Sequence, residues 1–168
     1  MRSLKVIVVA NTHPRRRKGK AATGKQGLPP GRRVLAWLLL ITYSAFLLYW
    51  MFVGFGRTVQ LDGPLRYNLE PLRTVRLFFD MTNGLSYASR LVNLLGNVAV
   101  FVPFGILLPL VISGYRSVVR LTLLSVLVIT FLELLQMLLH VGSLDIDDLL
   151  LNLLGVWTGY VLLRLVRG

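Results

Sequence analysis

Four long stretches without a charge, or with a single one, decide what this chain can become. Residues 34–55 give 22 uncharged positions, enough to cross a hydrocarbon core of about 30 Å at about 1.5 Å per residue. Residues 91–112 form a second run, interrupted by Pro103 and Pro109, and residues 121–139 a third that holds only Glu133. The fourth, 149–163, has 15 residues and spans only with Arg164 snorkelling to one interface and the acids before it at the other. Trp37 near the start of the first run and Tyr49 and Trp50 near its end suit interfacial aromatic belts. The composition agrees: 55% hydrophobic, 15% charged and a mean hydropathy of +0.67, against about 25% charged in soluble domains. The expected fold class is therefore all-α, a polytopic membrane protein with a four-helix transmembrane bundle. With no cysteine, thiol chemistry, disulfides and cysteine-based metal sites are excluded.

Charge is distributed unevenly. Ten of the 19 Lys and Arg lie in residues 1–33, with no acid among them. That segment reads as a disordered basic cytoplasmic tail beside anionic headgroups, and residues 34–168 as the membrane domain. The run Arg15-Arg16-Arg17-Lys18 lacks interleaved aromatics for base stacking, so no nucleic-acid partner is expected. The apolar run 6–10 is too short for a signal-peptide core, so no cleavage is expected. With the N-terminus inside, 14 basic residues fall on inner segments and five on outer loops, while six of the seven acids lie outside. This predicts a multi-pass protein of the cell membrane with both termini cytoplasmic.

Residues 56–90 are too polar to span. Gly63-Pro64 marks a turn, and Pro71 opens a short helix carrying Leu72, Val75, Leu77, Phe78 and Phe79, which lies in the outer headgroup region or folds over the bundle. The topology brings polar residues of three spans to one depth. Asn93 and Asn97 lie four apart on span two; Glu133, Gln136 and His140 stripe span three; Asp145, Asp147 and Asp148 precede span four, with Asn152 one turn deeper. Polar groups there are costly and face partners or a cavity. We expect Asn97, Glu133, Asp148 and Asn152 in one hydrogen-bond network, with Asn93, Gln136 and Asp145 at its edge. Structural readings stand beside this one: Asn93 and Gln136 as interhelical hydrogen bonders, Asp147 and Asp148 as caps of their own helix, and His140 as an interfacial residue. Gly155 and Gly159 make a GxxxG helix-packing pair. Pro103 removes a mid-span hydrogen bond and predicts a kink or local unwinding.

These segments carry a resemblance. Asn93-Leu-Leu-Gly-Asn97-Val-Ala-Val-Phe101-Val-Pro103-Phe104-Gly105 resembles the second-span motif of the VanZ-like family. So do Glu133-Leu-Leu-Gln136 and the stretch from Asp145 through Asp147-Asp148, Asn152 and Gly155 to Gly159-Tyr160. A weaker echo is Tyr67-Asn68-Leu69-Glu70-Pro71-Leu72, with Leu72 in place of the family's aromatic. Where the family often has an Arg before the acidic cluster, this chain has Gly142-Ser143. The resemblance covers about residues 34–166. It implies a small bacterial membrane protein from a family whose founding member is linked to lowered susceptibility to teicoplanin and related lipoglycopeptides.

Two classes of function follow. In the first, an envelope protein without catalysis uses the outer-leaflet polar site to bind a lipid-linked cell-wall precursor or an envelope protein, with membrane lipids as constant neighbours. Neither a cofactor nor a metal is expected in that reading. In the second, an intramembrane enzyme acts on a lipid-linked phosphate: Glu133 serves as acid or base, and Asp145 and Asp148 hold Mg²⁺. No Ser-His-Asp or HExxH pattern supports the enzyme. A transporter finds little room for alternating access in four short spans.

Overall fold

The four apolar runs become four long helices in the computed structural model, which describes residues 28–54, 59, 63–82, 84 and 86–167. Each is long and apolar enough to cross a membrane. They are α1 (Pro30–Phe52), α3 (Tyr87–Val111), α4 (Val118–Leu138) and α5 (Ile146–Arg167), with a short helix α2 (Arg73–Phe79) between the first two. The expected basic tail lies largely outside the described residues. Its last part is helical: α1 begins at Pro30, a position where the missing N–H costs nothing, and so takes in Arg32 and Arg33.

The fourth span is longer than its apolar run. Helix α5 has 22 residues, about 33 Å, because Asp147 and Asp148 form its first turn and Arg164 and Arg167 its last. Both charge pairs complement the helix dipole. Helix α3 stays helical through Pro103 and Pro109, so no turn is unwound there. The Tyr43 hydroxyl donates to the Val100 carbonyl at 2.9 Å, one residue beyond the carbonyl that Pro103 leaves without its usual donor.

Helices α3 and α5 run parallel and in contact through their backbones. A Cβ on Gly155 would overlap the Val98 carbonyl oxygen, one on Gly159 that of Val102, and one on Gly105 that of Val156. Without a hydrophobic drive between helices in lipid, such close approach is what association rests on. Gly155 and Gly159 thus find their partner on α3, and Gly105 answers them. Leu47, Phe101, Leu121, Ile129 and Val156 form the main core across α1, α3, α4 and α5; Ala36, Leu40 and Val111 join α1 to α3.

One end of the bundle is basic. Arg33 donates to the Val111 carbonyl at 3.2 Å and Tyr160 to the Arg116 carbonyl at 2.7 Å, while Arg164 lies over the Tyr160 ring, 5.3 Å from its centroid. The opposite end carries α2 and two two-residue strands, β1 (Tyr67–Asn68) and β2 (Leu144–Asp145), paired in parallel. Helix α4 stops beneath them. His140 turns left-handed at φ 55°, and the amides of Val141 and Gly142 close back on the Gln136 carbonyl, a common way to satisfy a helix C-terminus. The chain then passes through β2 directly into α5.

Candidate functional site: a polar cap at the α2 end

The acidic segment entering α5 holds the cap together. Asp145 accepts from Asn68 Nδ2 at 3.0 Å and from the Thr74 hydroxyl at 2.6 Å. It also accepts from the Asp147 amide at 2.9 Å, so Asp145, rather than Asp147 or Asp148, caps the start of α5. Asp147 is fully buried, at 0% exposure. It points away from its own helix and accepts from the amides of Leu72, Thr74 at 2.7 Å and Val75 at 3.1 Å. These are the orphan donors of α2's first turn, so Asp147 caps a helix some 73 residues earlier in the chain. Leu72, which precedes α2, is left-handed at φ 65°, a conformation that costs a non-glycine residue about 1–2 kcal/mol.

The other end of α2 is held by Arg90. This guanidinium sits in the first turn of α3, is 4% exposed, and donates to the carbonyls of Phe78 at 2.7 Å and Asp80 at 2.6 Å. A cation at a helix C-terminus meets both the free carbonyls and the negative end of the dipole. Helix α2 is therefore a strap across the bundle end, fastened by an acid from α5 and a base from α3. Beyond it, Asp80 accepts from the hydroxyl and amide of Thr82 at 2.6 and 2.9 Å, and these bonds hold its carboxyl below the ordinary carboxylate value.

The remaining polar residues lie beneath the strap. Asn97 donates from Nδ2 to Asp148 Oδ1, joining α3 to α5. Gln136, 5% exposed, donates to the Met51 carbonyl at 2.8 Å and ties α4 to the end of α1. Glu133 and Asn152 are each 3% exposed and face the bundle interior; Oδ1 of Asn152 meets no donor among the described residues. Asn93 is exposed and bonds back to the Ser89 carbonyl of its own helix at 2.8 Å, apart from the Asn97–Asp148 pair. His140 lines a separate pocket of about 210 Å³ with Arg66 and Met137.

Sequence reasoning missed the strap's fasteners. Asp147 appeared there among the acids before span four and as a cap of its own helix, and Arg90 only within the count of five basic residues on the outer loops. The available signal was the segment from Tyr67 to Leu72, which supplies β1 and the approach to α2. Its partner is the Asp145-Ile-Asp147 stretch, so two motifs of the resemblance are the two sides of one junction.

A bundle of four membrane-length helices closed at one end by a strapped polar cap is a polytopic helical membrane protein. The model of the VanZ/LLP1 family matches residues 35–167, and the chain belongs to that family. No curated protein and no solved structure matches it.

Proposed function

We propose that this protein is a cell-envelope component without catalysis. In this reading its polar cap binds the headgroup of a lipid-linked cell-wall precursor, or an envelope protein, and so lowers the access of teicoplanin-type glycopeptides to their target. The cap lies on the outer side of the cell membrane and both termini lie in the cytoplasm, because the basic end of the bundle matches the positive-inside rule. One observation carries the reading: both oxygens of Asp145 and both of Asp147 already accept hydrogen bonds from protein donors. Carboxylates engaged in this way hold the cap together from within. A Mg²⁺ site at Asp145 and Asp148 would have to compete with Asn68, Thr74 and the Asp147 amide, which fill three of the four acceptor positions of Asp145, and this weighs against the enzymatic alternative.

The test is expression in a susceptible Gram-positive host with teicoplanin susceptibility as the readout. Wild type is expected to lower susceptibility, Asn97→Ala to lose the effect, and Glu133→Gln to keep it, since an amide preserves much of the hydrogen bonding. Loss of the effect in a folded Glu133→Gln variant, together with Mg²⁺ binding to the purified protein that Asp145→Asn removes, would replace this reading with the enzymatic one.

A further inference from the structure

Beside the strap, Arg66 on the approach to β1 and His140 at the end of α4 line one pocket, with Gly63, Pro64, Met137 and Gly142 as the rest of its wall. Their backbones are fixed. The Arg66 carbonyl accepts from the Leu144 amide at 3.1 Å, next to the β1–β2 pair, and the His140 amide donates to the Met137 carbonyl at 3.1 Å. Their side chains have no such ties: among the described residues, neither the guanidinium nor the imidazole makes a hydrogen bond or an ion pair. A guanidinium brings five N–H donors, and an imidazole at least one in either protonation state. The described lining holds no carboxylate, hydroxyl or amide side chain to receive them. The nearest helix carbonyls, of Gln136 and Met137, are taken by the amides of residues 140–142. The acids of the cap are engaged elsewhere, Asp145 and Asp147 with the strap and Asp148 with Asn97.

The position of His140 adds to this. A residue that ends a helix in the left-handed region is most often Gly, and at φ 55° any side chain is less favourable than none. An imidazole kept there without a partner in the chain calls for one outside it. Depth selects the class of that partner. Helix α4 has 21 residues, about 31 Å, enough to cross a hydrocarbon core of about 30 Å. His140, two residues past its end, therefore lies at the depth of the headgroup phosphates. A group at that depth that only accepts hydrogen bonds, and carries the charge a guanidinium favours, is a lipid phosphate. We propose that Arg66 and His140 bind the phosphate of an anionic lipid in the leaflet on the strap side. The inference rests on the reading above and deepens it, naming the part of the headgroup that this end of the bundle holds. A phospholipid and a polyprenyl diphosphate share that chemistry.

Native mass spectrometry of the detergent-purified full chain tests it, with one lipid added at a time: phosphatidylglycerol, undecaprenyl diphosphate, or diacylglycerol, which has no phosphate. Wild type is expected to retain at least one of the two phosphate lipids about tenfold more than diacylglycerol, and the one retained more names the source. Arg66→Ala and His140→Gly are each expected to retain that lipid about tenfold less, as loss of a charge-assisted hydrogen bond implies. His140→Gly suits the left-handed backbone, so it should unfold no earlier than wild type, and its loss of lipid is then a loss of the site. Arg73→Ala removes the same charge from the strap, outside the pocket, and is expected to retain as much as wild type. Retention by both pocket variants equal to wild type overturns this site and leaves the wider reading standing, as does an equal loss in Arg73→Ala. A wild type that prefers neither phosphate lipid to diacylglycerol overturns this site together with the lipid-linked precursor of that reading.

Discussion

A buried carboxylate costs several kcal/mol unless its lone pairs are filled, and Asp147 fills them with three backbone amides of α2. Asp147→Ala strands those amides and is expected to cost about 2–4 kcal/mol, with new proteolysis in residues 69–82; unfolding in a denaturant series and limited digestion check it. Asp147→Asn, which keeps one acceptor oxygen, should fall between that variant and wild type. Asp80 supplies a pH dependence. Because its folded-state value lies below the ordinary one, the Thr82 turn is fully stabilised above the ordinary carboxylate range. That contribution is lost as pH falls through the lowered value, so amide exchange at Thr82 should quicken at the acid end and not near neutrality. The identity of the polar residues was legible in the sequence, and their partners were not. Capping rules are local, and an acid one residue inside α5 reads as that helix's own cap; only the fold brings the amides of residues 72–75 to Asp147.

Glycine contacts set the packing of the elements. Gly155→Ala drives a methyl into the Val98 backbone and is expected to separate α3 from α5, costing at least about 2 kcal/mol. Gly96→Ala lies on α3 with nothing within 4 Å of the added carbon and should instead stabilise by about 0.5–1 kcal/mol. Unfolding in mixed SDS micelles separates the two outcomes. The three longer spans were legible because a hydrocarbon core demands length and lack of charge, both visible in one dimension. The extension of α5 to Ile146 was harder to read, since Asp147 and Asp148 look like loop charges until the strap supplies donors for one and Asn97 for the other. The pairing of Gly105 with α5 was also hidden, because GxxxG names one side of a contact and leaves the other unspecified.

At the scale of the whole molecule, all the described basic residues of α5, of the α3–α4 turn and of the start of α1 share one end, and the strap closes the other. The chain has no native cysteine, so single cysteines report topology without background. Cysteines at Gly63 and Ser143 are expected to react with an impermeant thiol reagent on intact cells, and one at Ser113 only after permeabilisation; labelling of Ser113 alone would invert the orientation. The strap also imposes an order of synthesis. Residues 67–80 leave the ribosome well before Asp145 and Asp147, with two complete spans between them. Until the last span begins to enter the bilayer, β1 lacks its pairing strand and the first amides of α2 have only water or headgroups to bond. A chain halted after α4 would thus carry three helices and an unfastened strap segment, and the residues that enter α5 are what convert that segment into structure.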